Sequence, residues 1–150
     1  MKWRFAASTG CCVHVPVLDM LEGFKQAGVS AIELGTPPRH FDPWDHDHVV
    51  SLGTRLKQLA IDPIAIHAPF GGQLDLSSPD RHHRHAAIGA TLDAASALRE
   101  IGGSRVVVHV TDVSRNGVNV DERLAHCAGS LRVLARACAH MDVTLLVETP

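Results

Sequence analysis

Short hydrophobic runs alternate with amphipathic stretches along the whole 150-residue chain. Continuous apolar runs bounded by turn residues are typical of strands that are buried on both faces. The runs are WRFAAS (3–8), AIELG (31–35), PIAIHA (63–68), RVVVHV (105–110) and VTLLVE (143–148). We therefore predict a sheet of about five parallel strands with helices packed on it.

The first two intervals between these runs predict helices. Pro16 opens the first helix, because proline suits the start of a helix, and Gly28 ends it. The second helix follows a proline-rich loop, and its apolar side chains recur at helical spacing. Its inward-facing residues are Val49, Leu52, Leu56 and Leu59.

Two longer helices are predicted in the second half of the chain. The sequence Ser78-Pro79-Asp80 supplies an N-cap, a proline at the first helical position and an acid in the first turn. This third helix ends at Gly102-Gly103, and the fourth spans residues 121–140. The residues predicted to face inward from the fourth helix are Leu124, Leu131, Leu134 and Cys138.

The resulting order, βαβαβαβαβ, defines an α/β fold with a parallel sheet. A final parallel strand without a following helix would leave one face of the sheet bare and one edge open. We therefore expect residues 1–150 to be the N-terminal portion of a single domain that continues after the fifth strand.

Metal-capable side chains recur at the same end of four predicted strands. Glu33, His67, His109 and Glu148 each lie at the carboxyl end of a strand. Because such ends meet at one rim of a parallel α/β fold, we expect these side chains to converge. Two imidazoles and a carboxylate suit Zn²⁺ or another divalent transition metal. A single histidine at such a position is also compatible with an ordinary hydrogen-bonded rim residue.

Composition, net charge and cysteine spacing indicate the class of protein. Hydrophobic residues make up 45% and charged residues 20%, as in water-soluble globular proteins, and the formal net charge is −2. This charge gives no electrostatic argument for a nucleic-acid partner, and no apolar run approaches the length of a membrane span. Cys11 and Cys12 are adjacent and poorly placed to pair, and Cys127 and Cys138 lie too far apart on one helix. We expect all four to be reduced and mostly buried, as in a cytoplasmic protein.

Four segments resemble the xylose-isomerase-like TIM-barrel superfamily. They are HAPF (67–70), LDLSSPD (74–80), VVVH (106–109) and VETP (147–150). This superfamily holds sugar-phosphate isomerases and epimerases, inositol-pathway enzymes and the endonuclease-IV type of repair nuclease. The resemblance implies a (β/α)8 barrel, represented here by about its first five strands and four helices.

The same resemblance implies roles for particular residues. Glu148 matches the metal-binding glutamate of the fifth strand and is the candidate catalytic residue. His67 and His109 match rim histidines that bind metal in the nuclease branch and lie beside the substrate in the isomerase branch. Glu33 matches an acid near the substrate. Trp44 and Phe70 fall in rim loops, where they either wall the sugar or simply pack loop against barrel.

The predicted function is that of a sugar isomerase or epimerase acting through an enediol, with Mn, Co, Zn or Mg as its divalent metal. The substrate could also be a sugar phosphate or an inositol derivative. We expect a small-molecule sugar as partner, neither nucleic acid nor membrane, and a homo-oligomer is compatible with the sequence.

Three alternatives remain. The first is an endonuclease IV-like phosphodiesterase, although that branch tends to follow its fifth-strand glutamate with Asn-Thr and its fourth-strand histidine with Pro-Gly. Here the corresponding pairs are Thr149-Pro150 and Val110-Thr111. The second is a non-catalytic truncated fragment. The third, a flavodoxin-like binding module, is disfavoured by the absence of a glycine-rich first turn.

Overall fold

Five short parallel strands form the sheet of the computed structural model, which describes residues 5–110 and 119–148. The strands are β1 (Ala7–Ser8), β2 (Ala31–Leu34), β3 (Asp62–His67), β4 (Arg105–His109) and β5 (Thr144–Glu148). They lie side by side in the order β1-β2-β3-β4-β5, so each strand pairs with its neighbour in sequence. This arrangement confirms the predicted parallel α/β sheet.

Four α-helices fill the connections between these strands. They are α1 (Val17–Gln26), α2 (His46–Leu59), α3 (Arg81–Glu100) and α4 (Val120–His140). Their apolar faces pack on the sheet, where Leu21, Leu52 and Leu98 are fully buried, as are Ile32 and Ile66. The buried face holds the sheet rigid, which fixes the positions of the residues at its carboxyl rim.

The first strand is shorter than predicted. Positions 3 and 4 of the predicted strand lie outside the described residues, and only Ala7–Ser8 pairs with the sheet. Ala7 aligns with Ile32, the second residue of β2, so Phe5 lies beyond the start of that strand. Phe5 is accordingly 86% exposed.

The start of α3 differs from the prediction. Its N-cap is Asp80, whose Oδ1 accepts a hydrogen bond from the His82 N–H at 2.7 Å, and this bond lowers the pKa of the Asp80 carboxyl. Ser78 instead accepts from the Asp80 N–H, so Pro79 lies before the helix and not at its first position. A carboxylate is the better partner for the positive end of a helix, which explains why it takes the cap.

Two predictions of burial are wrong. Leu124 is 61% exposed, because the first turns of α4 direct the neighbouring Arg123 towards the rest of the fold. Cys11 and Cys12 are exposed, since they end a 3₁₀ turn (Thr9–Cys12) in which Thr9 alone is buried. Cys127 and Cys138 are buried as expected, and all four cysteines are free thiols.

Burial raises the pKa of both the Cys127 and the Cys138 thiol. Among the described residues, no helix combines the length and apolar character that crossing a bilayer requires.

Candidate functional site

Three predicted residues meet at the carboxyl rim of the sheet. The Nε2 atom of His67 lies 3.4 Å from Oε2 of Glu148, and Nε2 of His109 lies 3.3 Å from the same oxygen. One ligand atom from each residue falls within 4.8 Å of the other two. The convergence predicted from the strand ends is therefore present for three of the four residues, and Glu33 is not among them.

The register of the sheet explains this convergence. His109 pairs directly with Glu148, and His67 pairs with Val107, two residues before His109 on the same face of β4. Because side chains alternate between the two faces of a sheet, all three project from the same face. Each strand thus delivers one polar side chain to one point on the rim.

The histidine His67 is oriented by a second contact. Its Nδ1 lies 3.1 Å from the carbonyl oxygen of Ala68, which can only accept, so Nδ1 carries the proton. The lone pair of Nε2 then points towards Glu148. A histidine held in this way by a backbone carbonyl is in the tautomer that metal ligation needs. Two imidazole nitrogens and one carboxylate oxygen therefore fit a divalent transition metal.

Phe70 covers the two histidines. Its ring stacks on His109 with centroids 4.3 Å apart and lies 5.1 Å from the ring of His67. The side chains of His67 and His109 are only 17% and 20% exposed, whereas that of Glu148 is 55% exposed. Partial exclusion of water by Phe70 strengthens electrostatic interactions at the two rings.

A cavity of about 600 Å³ opens beside His67. Trp44, His67 and Phe70 belong to its wall, so both aromatic residues that the sequence placed in rim loops face this space. The indole Nε1–H of Trp44 donates to Asp93 Oδ2 at 2.8 Å, which holds the ring against α3. This cavity is of the size that small-molecule sites occupy.

Glu33 lies further along the rim. It does not belong to the group of three potential metal ligands that the described residues form. It is half-buried, and its Oε1 accepts a hydrogen bond from Ser8 Oγ at 3.0 Å. Ser8 itself lines the cavity. Glu33 therefore contacts a residue of the cavity wall, Ser8, and does not itself line the cavity.

Sequence reasoning missed the residues that support the rim. Thr36 donates its hydroxyl to the backbone carbonyl of His67 at 2.9 Å, and the buried His40 contacts Thr9 Oγ1 at 2.7 Å. Thr9 also accepts from the Gly35 N–H at 2.9 Å. Their positions in the sequence could have indicated this role, because Thr9 and Thr36 closely follow the carboxyl ends of β1 and β2.

The chain belongs to the xylose isomerase-like TIM barrel family, whose sequence model matches residues 21–150. No curated protein sequence matches the chain. Five parallel strands in sequential order agree with part of such a barrel.

Solved structures share this fold at low sequence identity. A D-tagatose 3-epimerase-like protein superposes with a TM-score of 0.84 and 18% identity, over 98% of this chain and 53% of its own. The D-allulose 3-epimerase from Methylomonas sp. in complex with D-allulose gives 0.79 and 17%, over 97% and 51%. A Thermus thermophilus protein, soaked with ZnCl2, gives 0.70 and 23%, over 98% and 55%. The chain thus spans about half the length of these structures.

Proposed function

We propose that the protein is a divalent-metal-dependent isomerase or epimerase of a small sugar, acting through an enediol. The observation that carries this proposal is the meeting of His67, His109 and Glu148 beside a cavity at the carboxyl rim. Active sites of (β/α)8 enzymes lie at this rim, so the location supports catalysis over a purely structural role. Two of the solved structures that share the fold are named for sugar epimerases.

His67, His109 and Glu148 would hold the metal, which we propose to be Mn, Co, Zn or Mg. When bound, a divalent cation stabilises negative charge on neighbouring substrate oxygens and so makes the adjacent C–H more acidic. His67 is suited to ligation through Nε2 because its Nδ1–H is engaged by the Ala68 carbonyl. The zinc-soaked relative supports a search for metal but does not identify the ion.

Glu148 is the proposed catalytic residue. Its carboxylate would take the proton from the carbon beside the substrate carbonyl, and protonation of the resulting enediol would give the product. Epimerisation needs return to the opposite face of one carbon, whereas isomerisation needs return to the neighbouring carbon. The 55% exposure of the Glu148 side chain leaves it open to a substrate on that side.

Glu33, Trp44 and Phe70 are the proposed substrate-binding residues, together with the two histidines. The Glu33 carboxylate would accept a hydrogen bond from a sugar hydroxyl, because only one of its oxygens is engaged by Ser8 in the contacts described above. The rings of Trp44 and Phe70 offer apolar surface to the C–H face of a sugar ring. Aromatic walls with a few polar groups are typical of small-molecule sites.

An unphosphorylated sugar suits the cavity better than a sugar phosphate. Among the described residues that line it there is no lysine or arginine, and its polar side chains are those of Ser8, Thr36 and His67, with the indole of Trp44. A phosphate group is normally held by cationic side chains or by a cradle of backbone amides. The same absence disfavours the alternative of a phosphodiesterase acting on a polyanion.

The test is an assay of the protein at its full natural length with Mn²⁺ or Co²⁺. A panel of ketohexoses and their phosphates is incubated in deuterated water and analysed by NMR. We expect a free ketohexose to be converted with deuterium entering the carbon that is deprotonated. Absence of both conversion and deuterium exchange across the panel would reject the proposal.

A further inference from the structure

Two thiols lie together on the surface outside the metal-capable group. Cys11 and Cys12 are both exposed, and their Sγ atoms are 3.8 Å apart, within a weak S–H···S hydrogen bond. Cys127 and Cys138, by contrast, are buried residues of α4. The chain therefore presents one accessible pair of thiols and keeps the other two from solvent.

This pair lies between two residues that line the cavity. Gly10 of the same 3₁₀ turn lines the cavity, and so does Val13, which follows it. Thr9, at the start of the turn, accepts from the Gly35 N–H and contacts the buried His40. A change in the conformation of the turn would therefore reach both the cavity wall and the end of β2.

We propose that Cys11 and Cys12 form a reversible redox site, in which exchange with a small-molecule disulfide closes a vicinal disulfide in the turn beside the cavity. The overall reaction converts two protein thiols and one external disulfide into one protein disulfide and two external thiols. The external disulfide is reduced by two electrons, and the Cys11–Cys12 pair is oxidised by the same two.

The exchange takes two steps. The thiolate of one cysteine attacks the external disulfide and releases one external thiol, which leaves a mixed disulfide on the protein. The neighbouring cysteine then attacks this mixed disulfide and displaces the second external thiol, which leaves the Sγ–Sγ bond between Cys11 and Cys12.

The geometry makes this bond easy to reduce again. Consecutive Cα atoms are about 3.8 Å apart, which is shorter than the roughly 4.4–6.8 Å that disulfides prefer. Closure must therefore distort the turn, and a strained, exposed disulfide is readily reduced. The difficulty of pairing adjacent cysteines thus argues for a transient bond and against a permanent structural one.

The first test counts thiols. The intact protein is incubated with oxidised glutathione, quenched with acid, unfolded, alkylated and weighed by mass spectrometry. Among the four cysteines of residues 1–150, we expect the number of alkylated thiols to fall from four to two without any attached glutathione, and dithiothreitol to restore all four. Peptide mapping should place both remaining thiols at Cys127 and Cys138.

Cys11→Ser and Cys12→Ser are the matched controls, since each removes one partner from an exposed position. Each variant should instead retain a stable glutathione adduct on the cysteine that remains. Stable adducts on both cysteines of the unmodified protein would overturn the proposal, because they would show that the second thiol does not resolve the first. Four intact thiols after incubation would overturn it equally.

A second measurement tests the link to the cavity and needs no substrate. Closure should weaken the bond from the Gly35 N–H to Thr9, so hydrogen exchange at Gly35 should be roughly fivefold or more faster in the oxidised protein. Exchange in the distant helix α4 should be unchanged. Equal exchange at Gly35 in both redox states would refute the coupling between the thiol pair and the rim.

Discussion

The positions of the two imidazoles at the rim follow from where each histidine stands in its strand. His67 and His109 each end an apolar run, and strand alternation then decides which face they occupy. Glu148 follows the same rule one strand further on. Their convergence was open to prediction because only the period of the strand and its last residue were needed.

Replacement of Glu148 by Gln tests this residue directly. We expect affinity for Mn²⁺ or Zn²⁺ to fall at least tenfold, because a neutral amide offsets none of the cation's charge. Turnover should be lost, while the circular dichroism spectrum stays close to that of the unmodified protein. Metal affinity is measured by titration calorimetry on the purified protein.

Glu100→Gln serves as the control for that substitution. Glu100 is also an exposed glutamate beside a histidine, 3.5 Å from Nδ1 of His46, but it lies at the end of α3 away from the rim group. Its replacement should leave metal affinity unchanged. If Glu148→Gln binds metal as tightly as Glu100→Gln, the assigned role of Glu148 is wrong.

Other residues could not be placed from the sequence. Cys11 and Cys12 look like small core residues by composition, yet the tight turn after β1 exposes them. Leu124 fits the helical spacing of Leu131 and Leu134, but the side chain of Arg123 takes the inward position instead. The first outcome depends on a tight turn and the second on a contact between residues distant in sequence, and hydrophobic periodicity encodes neither.

At the scale of elements, the order and type of the strands and helices could be predicted from the sequence. The contacts that hold the loops against the helices could not. The loop between β3 and α3 illustrates the difference. Asp75 is buried there and forms an ion pair with Arg123 on α4, while Leu76 accepts a hydrogen bond from Ser130 Oγ at 2.7 Å. These partners are 48 and 54 residues away in sequence, so local patterns could not reveal them.

Loss of the ion pair between Asp75 and Arg123 should lower the stability of the fold. Asp75→Asn would remove the buried carboxylate that pairs with Arg123, and we expect a loss of roughly 1–3 kcal/mol in the free energy of unfolding. Urea denaturation followed by circular dichroism measures this change. The loop also carries Phe70 at its start, so the variant should bind metal or sugar less well.

An exposed ion pair provides the comparison. Arg55 and Glu22 join α2 to α1, and their side chains are 38% and 53% exposed. Because such surface pairs contribute only about 0–1 kcal/mol, Glu22→Gln should have little effect on unfolding. Similar losses for the two variants would show that the Asp75 pair is not the anchor of the loop.

At the scale of the whole chain, the net charge bears on the choice between a sugar isomerase or epimerase and a phosphodiesterase that acts on nucleic acid. The formal net charge is −2, and the described cavity wall carries no lysine or arginine. Binding to a nucleic-acid duplex depends largely on neutralising phosphates with such residues. These charges support the proposal of a small uncharged substrate.

We expect the protein neither to cleave an abasic DNA duplex nor to bind it appreciably, even at low salt. Fluorescence anisotropy with a labelled duplex, measured from low to physiological ionic strength, checks the binding. A dissociation constant that rises steeply with salt would reveal several phosphate contacts and would revive the nuclease alternative. Cleavage in the presence of Zn²⁺ or Mn²⁺ would do so directly.

The sequential order of the sheet has a consequence for how the polypeptide acquires its structure during synthesis. Each strand from β2 to β5 docks on the strand made immediately before it. A chain emerging from the ribosome can thus add one strand and one helix at a time to an existing edge, without waiting for distant segments. Growth of this kind keeps loop closure local, so that the entropy lost at every step stays small.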